Sequence, residues 1–394
     1  MTRSAQRNQI IDICRGIGIF LVLYGHAIEV TFMGKATLTE TQFQQWKIIY
    51  SFHMPLFFFI SGSLHKNKRL LESFQSSLSL ITIAVALHLI DWIFSLAHTR
   101  FDTKTEIFHI LTLTSFSIMV TWFLVATAFV QLIFHFVQKA STQGKVAILI
   151  STSALYFISQ KWNVTYFQIQ AIAPGLIFYG AGYYFSEKIK LLQENPKALP
   201  IAAISIPLAF SALAYAALAN KGCTSSVTQT CESIYGQFAV FMVTGKLGFA
   251  PLFFAAAALG IYLTFSISLL ILNSRLSYFK RWLSNIGQST LDLLVLNGFV
   301  LAYGEKYLST KFDVSPTLGA TLVWSIGIVA AQILVLPFWK PISTRVFREC
   351  RNSASFLLHS LLIPAANRLI NLFGPGVTAS GFPLIHEDSQ LEVE

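Results

Sequence analysis

Long apolar stretches separated by short polar segments run through most of the chain. A helix that crosses a membrane needs about 20 apolar residues. The predicted helices are 10–33, 48–64, 74–97, 117–137, 146–160, 167–186, 199–219, 246–272, 286–304 and 317–338. The pattern therefore predicts an all-α fold: a polytopic integral membrane helix bundle of about ten transmembrane helices within 1–338.

The composition supports this class. Hydrophobic residues make up 54% of the 394 residues and charged residues 12%, with a mean hydropathy of +0.60. Soluble domains carry about 25% charged residues, and half that content does not cover a water-facing surface of this size. A soluble globular domain, a disordered chain and a small disulfide scaffold are therefore excluded, and membrane lipids are expected around the bundle.

Basic residues are unevenly distributed between the two sides of the predicted bundle. The net charge is +10, from 28 Lys and Arg against 18 Asp and Glu. If the N-terminus is cytoplasmic, 18 basic residues lie in inside segments, 9 lie in outside segments, and Arg15 lies within the first helix. Cytoplasmic loops collect Lys and Arg. The charge thus predicts that both termini are cytoplasmic, and no nucleic acid is expected as a partner.

Two segments outside the helices have features of their own. Residues 339–394 are too polar for another span and are predicted to form a cytoplasmic tail, with an interfacial amphipathic stretch over 354–373 and a disordered acidic end. The predicted outer loop 220–245 contains Cys223 and Cys231. A loop-closing disulfide is compatible with an oxidising side, and two unpaired thiols are the alternative.

The first predicted helix carries four ionisable residues: Asp12, Arg15, His26 and Glu29. Such residues are costly within a membrane and are candidates for function. Eleven positions separate Arg15 from His26, so they share one helix face about 16 Å apart. Asp12 and Glu29 each lie three residues from one of them, which is a contact spacing. An interfacial ion pair at Asp12 and Arg15, and a merely packed His26, are the alternatives.

The second predicted helix returns toward the cytoplasm. His53 near its outer entrance is therefore expected at the depth of His26, and Ser61 near its cytoplasmic end. A basic cluster follows the helix. Its members are Lys66, Lys68 and Arg69. Ordinary anchoring on the cytoplasmic side is one interpretation of this cluster, and a clamp for the phosphates of an anionic cofactor is the other.

These residues carry a resemblance to a known family. Arg15-Gly16, His26 and the segment FHMPLFFFISG occur in the order found in the acyltransferase 3 family of membrane O-acyltransferases, and the pattern is similar to the branch that acetylates sugars, the fucose O-acetyltransferase-like proteins. Looser similarities lie at Trp122-Phe-Leu, at FYGAG ending in Gly182, and at IGQSTLDLL beginning at Ile286. The ordered set is a specific signal, whereas Arg15 and His26 alone are a weak one.

The resemblance implies an acyl-CoA donor bound from the cytoplasm, acetyl-CoA in the first place, and a glycan or lipid-linked sugar acceptor at the outer face of a bacterial inner membrane. It implies that His26 carries the acyl transfer, that Arg15 is required and that Lys66, Lys68 and Arg69 hold nucleotide phosphates. Two positions depart from the family pattern. Asn297 stands where a His is frequent, and Lys66 stands at the first position of a frequent R-x-x-R motif.

Acyl transfer to a hydroxyl needs a base that works near neutral pH, and a histidine supplies one. Glu29 is predicted to orient the His26 imidazole, as the third member of a catalytic triad does. Direct attack by the acceptor hydroxyl is favoured because no Ser or Cys nucleophile is evident beside His26, and a transient acyl-histidine is the alternative. The candidate substrate-binding residues are His53, Asp12 and Ser61. No metal-ligand spacing is present, so no metal is expected.

Two other classes remain open on sequence alone. Intramembrane charges also occur in secondary transporters, although no inverted repeat or pair of broken helices is visible in the sequence. The chain is also compatible with a glycan-export membrane protein that performs no acyl transfer.

Overall fold

The computed structural model describes residues 8–32, 40–96, 103–114, 120–195, 197–220, 240–305 and 317–365. Within these ranges the fold is helical, with one isolated β-bridge between Phe241 and Lys246. The α-helices are α1 (Gln9–Phe32), α2 (Glu40–Tyr50), α3 (His53–Ser63), α4 (Leu70–Leu96), α5 (Thr103–Thr112), α6 (Thr121–Lys139), α7 (Thr142–Trp162), α8 (Ile169–Glu194), α9 (Ala198–Ala219), α10 (Ala250–Asn273), α11 (Ser277–Gln288), α12 (Thr290–Phe299) and α13 (Leu318–Phe356). A π-helical segment, Val300–Glu305, follows α12. The predicted all-α class is confirmed.

Six of the described helices are long and apolar enough to cross a membrane, or seven if the bent pair α11 and α12 counts as one span. The six lie in α1, α4, α6, α9, α10 and α13. The prediction of ten spans and of two cytoplasmic termini is therefore not confirmed, although the multi-pass helical character is. Exposed apolar side chains such as Ile204 on α9 and Phe338 on α13 suit a surface that faces lipid.

Several predicted helices differ from the observed ones. The helix predicted over 167–186 continues to Glu194. The helix predicted over 48–64 is broken after Tyr50, and α3 begins at His53 with only 11 residues. The helix predicted over 286–304 bends by 68° at Ser289. The helix predicted to end at residue 338 continues to Phe356. Apolar residues lie on both sides of the breaks at Ser51 and Ser289, and each pair of apolar segments was therefore predicted as one helix.

The break before α3 is explained by packing between distant helices. Phe52 packs against Gly260 of α10, where an added Cβ would lie 2.1 Å from the Phe52 ring. Pro55 then falls in the first turn of α3, where its missing N–H removes no helical hydrogen bond. The turn at Ser51 and Phe52 therefore separates Tyr50 and His53 onto two short helices that meet at one place.

Glycines from the quoted motifs lie at two close helix crossings. At the crossing of α1 with α11, a Cβ on Gly16 would lie 2.3 Å from the Leu283 carbonyl oxygen, and one on Gly287 would lie 1.8 Å from the Asp12 carbonyl oxygen. At the crossing of α3 with α8, Gly62 and Gly182 are equally crowded by the partner backbone. Small residues permit such approach between membrane helices, so these glycines fix the positions of α1 and α3 in the bundle.

Several sequence predictions fall outside the described ranges. Cys223 and Cys231 belong to residues 221–239, which the structure does not describe, and the tail beyond residue 365 is likewise outside. The disulfide and the disordered end therefore stay predictions. The division of the chain at residue 338 lies within the described helix α13 and also stays a prediction.

Candidate active site

Three hydrogen-bonded side chains lie near the C-terminal end of α1. His26 Nδ1 is 3.2 Å from Glu29 Oε2, the contact that their spacing predicted. The Tyr50 hydroxyl oxygen, from the end of α2, is 2.9 Å from His26 Nδ1, and its O–H donates to Glu29 Oε2. The His26 and Glu29 side chains are 13% and 11% exposed. We call His26, Glu29 and Tyr50 the His26 cluster.

The hydrogen bonds of the His26 cluster select one form of the neutral imidazole. Nδ1 faces a carboxylate oxygen and the oxygen of a hydroxyl whose proton is already donated to Glu29. Both oxygens are acceptors, so Nδ1 carries the hydrogen and Nε2 keeps the lone pair. A base whose second nitrogen is held by a carboxylate has a fixed ring orientation, as in catalytic triads.

His53 belongs to the same end of the bundle. Its Nδ1 donates to the Ile49 carbonyl at 2.9 Å, and its ring centroid is 4.6 Å from that of Tyr50. His53 therefore lies beside the His26 cluster, in contact with Tyr50. This agrees with the prediction that the second helix brings His53 close to His26. A cavity of about 50 Å³, the His26 cavity, is lined by the cluster, His53, Trp122 and Phe241, among others.

Tyr50 was missed as a site residue by sequence reasoning. Its ring stacks on Trp46 with centroids 4.3 Å apart, and Gly25 of α1 leaves room for it, since a Cβ there would lie 3.0 Å from the ring. One signal in the sequence could have identified Tyr50: it lies three residues before His53, in the segment that was expected to approach His26.

A larger cavity lies at the other end of α1. It has a volume of about 470 Å³ and is lined by Arg15, Ser61, Lys66 and Lys68, together with His65 and Tyr179. We call it the Arg15 cavity. Residues predicted from two separate segments, the first helix and the basic cluster, therefore share one space. The Lys68 ammonium also donates to Ser76 Oγ of α4 at 2.7 Å.

His65 was also missed as a site residue, although it directly precedes the basic cluster. Its Nε2–H donates to Gln138 Oε1 at 3.0 Å, and its Nδ1 accepts from the Tyr179 hydroxyl at 2.8 Å. Burial lowers the pKa of His65 below its ordinary value, the Gln138 contact opposes this, and the charge of Lys68 adds to it. His65 is therefore neutral at pH 7, and the charge of the cavity comes from Arg15, Lys66 and Lys68.

Two predicted site residues lie elsewhere. Arg69 is 71% exposed, and its Nε lies 3.1 Å from Glu72 Oε1 on the first turn of α4. Among the described residues that line the Arg15 cavity, Arg69 is not present. Asp12 is buried at the crossing of α1 with α11, where Gln288 Nε2 donates to its carboxylate at 3.3 Å. Their predicted roles in binding stay predictions.

The two cavities approach each other along α3 and α6. Met54 lines the His26 cavity, and Phe57, one turn later on α3, lines the Arg15 cavity. On α6, Trp122 lines the His26 cavity and its neighbour Phe123 lines the Arg15 cavity. The ring centroids of Phe57 and Phe123 are 6.1 Å apart. Aromatic side chains of α3 and α6 thus lie between the cationic cavity and the His26 cluster.

A comparison with protein families accounts for most of the chain. A family model described as an acyltransferase domain, the acyltransferase 3 family, matches residues 8–340. The chain belongs to the acyltransferase 3 family. A curated relative, the nodulation protein NolL of Mesorhizobium japonicum, is 26% identical over 353 residues, which cover 80% of this chain and 84% of NolL. No solved structure matches the chain.

Membership in the acyltransferase 3 family, together with the apolar helices, makes the chain a multi-pass membrane acyltransferase. Asn297 is fully buried on α12, and its side-chain amide has no hydrogen-bond partner among the described residues. Within those residues no group of three or more His, Cys, Asp or Glu side chains could hold a metal ion.

Proposed function

We propose that the protein transfers an acetyl group from acetyl-CoA, bound in the Arg15 cavity, to a hydroxyl of a glycan or lipid-linked sugar at the His26 cluster. The observation that carries this proposal is the placement of two different chemistries at the two ends of α1. One end holds Arg15, Lys66 and Lys68 around a roomy cavity, and the other holds a buried, oriented histidine.

The Arg15 cavity suits the phosphates and the arm of an acyl-CoA donor. Lys66 and Lys68 are point charges that bind phosphate, and Arg15 adds a planar guanidinium with several donors. The lining also contains hydroxyl groups, from Ser61 and Tyr179, next to apolar rings. A mixed lining of this kind fits a ligand with both anionic and apolar parts.

When bound, an acyl-CoA supplies the acyl group as a thioester. His26 Nε2 takes the proton of the acceptor hydroxyl as the new C–O bond forms and the C–S bond breaks, and it returns that proton to the leaving thiolate. Glu29 stabilises the imidazolium through the Nδ1–H, and Tyr50 holds the carboxylate in place. The thioester reaches His26 past Phe57 and Phe123, since α1 separates Arg15 from His26 by about 16 Å.

The acceptor is proposed to be a sugar. The family match supports an acyltransferase, and the resemblance of the FHMPLFFFISG segment supports the sugar-modifying branch. The Arg15 end then faces the cytoplasm, where acyl-CoA is available, in accord with the excess of basic residues on that side. A bacterial inner membrane is the proposed location.

The test compares surface and lipid-linked glycans by mass spectrometry in a strain that lacks the gene, in that strain with the gene restored, and in that strain carrying His26→Gln. We expect one additional acetyl group only with the unaltered gene. Membrane vesicles with radiolabelled acetyl-CoA supply the second measurement. Equal acetylation in all three strains, with no thioester cleavage in vesicles, would overturn the proposal.

A further inference from the structure

A second cavity adjoins the Arg15 cavity. It has a volume of about 700 Å³ and shares Lys68, Ser76, Leu80 and Leu291 with the first. We call it the Arg351 cavity after the arginine on its far wall. Because Lys68 lines both spaces, the two cavities are adjacent chambers, and one extended ligand can occupy both of them.

The far wall of the Arg351 cavity is built by the continuation of α13. Thr344, Phe347 and Arg351 line it, and all three lie beyond residue 340, where the match to the acyltransferase domain ends. At 100° per residue these positions fall within about 60° of one another on the helix, so a single face of α13 forms the wall. This wall is therefore an addition to the part of the chain that carries the family pattern.

Hydrogen bonds hold this wall in a fixed position against the bend between α11 and α12. Trp339 Nε1 donates to the Asp292 carbonyl at 2.9 Å, and the Lys340 ammonium donates to Ser289 Oγ at 2.9 Å. Ser343 Oγ donates to Asp292 Oδ1 at 2.5 Å. Phe347 is buried in the core with the neighbouring helices. The chamber is thus a preformed part of the fold.

The polar groups of the Arg351 cavity are of several kinds. Cations are present at Lys68 and Arg351, carboxylates at Glu72 and Asp292, and a side-chain amide at Gln75. The charge of Glu72 is balanced by Arg69, which lies 3.1 Å away. A simple anion would contact only the two cations. A nucleoside phosphate can contact all three kinds of group: carboxylates accept hydrogen bonds from ribose hydroxyls, amides pair with the edge of a base, and arginine binds phosphate through two N–H groups.

We propose that the Arg351 cavity binds the adenosine 3′-phosphate portion of the acyl-CoA donor. Arg351 holds the 3′-phosphate, and Lys68, at the junction, holds the diphosphate that leads into the Arg15 cavity. This inference rests on the proposed function, since it takes acyl-CoA as the donor, and it adds a binding residue that lies outside the family domain.

The test uses the purified full-length protein and the substitution Arg351→Gln. We expect the KM for acetyl-CoA to rise about tenfold, as loss of a charge-assisted phosphate contact implies, with kcat nearly unchanged. The KM for 3′-dephospho-acetyl-CoA should be the same in the variant and the unaltered protein. Arg345→Gln is the matched control, because Arg345 lies on the same helix about 120° round from Arg351 and is absent from the described lining of this cavity.

A binding measurement that does not need turnover completes the test. Calorimetric titration with adenosine 3′,5′-bisphosphate should show binding to the unaltered protein and to Arg345→Gln, and weaker binding to Arg351→Gln. If the unaltered protein uses acetyl-CoA but does not distinguish it from the 3′-dephospho form, or if Arg351→Gln binds the bisphosphate normally, this inference is wrong and the proposed function stands. If the unaltered protein neither binds the bisphosphate nor cleaves any acyl-CoA, the proposed function fails with it. Thermal unfolding of each variant separates a binding defect from loss of the fold.

Discussion

The His26 cluster and the Arg15 cavity lie on the same helix but differ in almost every physical respect. The cluster has three side chains that satisfy one another in a cavity of about 50 Å³. The Arg15 cavity has cations spread around about 470 Å³ and continues into a chamber of about 700 Å³. A small site with an oriented base suits proton transfer, whereas a roomy charged space suits the binding of a large anionic ligand.

This difference predicts how substitutions divide between turnover and affinity. Groups that act on a proton in the transition state affect kcat, whereas groups that hold the donor throughout affect KM. Changes at the His26 cluster should therefore lower kcat and leave the donor KM constant. Changes at the Arg15 cavity should raise the donor KM and leave kcat constant. A variant that moves both parameters together would show that the two regions do not act separately.

The largest effect is expected for His26→Ala. Removal of the base should lower kcat by about 100-fold or more, while the protein still inserts, because one imidazole does not determine the packing of the bundle. Acetyl transfer in vesicles and membrane abundance by immunoblot are the measurements. Near-normal transfer by His26→Gln would contradict the role of His26 as the base.

A smaller loss is expected for Tyr50→Phe. The change keeps the ring on Trp46 but removes the O–H that holds Glu29, so kcat should fall about tenfold, as loss of one hydrogen bond to a charged group implies. Tyr24→Phe is the matched control, because the Tyr24 hydroxyl donates to Gln45 at 2.6 Å and does not line the described part of the His26 cavity. An equal loss of kcat in both variants would remove Tyr50 from the mechanism.

Sequence reasoning predicted one contact within α1 and the placement of Arg15 along that helix. The i,i+3 contact of His26 with Glu29 and the position of Arg15 at the other end of α1 follow from 1.5 Å and 100° per residue. The proximity of His53 to His26 was predicted because the second helix runs back toward the cytoplasm beside the first. These relations depend only on regular helix geometry, which is why residue spacing was sufficient for them.

Relations fixed by distant packing were not predictable in this way. Tyr50 joins the cluster because the helix breaks at Phe52, and that break depends on the absent side chain of Gly260. The bend at Ser289 is held by Lys340, 51 residues further along the chain. Apolar residues lie on both sides of each break, so the apolar pattern was interpreted as one helix in each case.

Changes in the basic cluster should affect donor affinity unequally. Lys68→Gln is expected to raise the KM for acetyl-CoA about tenfold, because Lys68 lines both the Arg15 cavity and the Arg351 cavity and, under the proposed function, contributes a charged contact to phosphate. Arg69→Gln should raise it less, since its guanidinium is exposed and already paired with Glu72. Initial rates over a range of acetyl-CoA concentrations give both values.

Lys190→Gln serves as a control for anchoring of the membrane helices. Lys190 is basic, belongs to the segments predicted on the cytoplasmic side and is paired with Glu187 at 2.8 Å. It should leave the donor KM unchanged. If Lys68→Gln, Arg69→Gln and Lys190→Gln all lower membrane abundance and none of them changes the donor KM, the basic cluster anchors the helices and does not bind the donor.

The smallest effect concerns pH and His65. Its pKa is lowered by burial, so the folded protein keeps the ring neutral down to a more acidic pH than an exposed histidine would allow. His65 should then carry less charge in the Arg15 cavity near pH 6 than an ordinary histidine would. The ratio of the donor KM of His65→Asn to that of the unaltered protein should stay nearly constant between about pH 6 and pH 8, because ionisation of the donor itself cancels in the ratio. A KM ratio that rises steadily as the pH is lowered would mean that His65 gains a proton and helps to hold the phosphates.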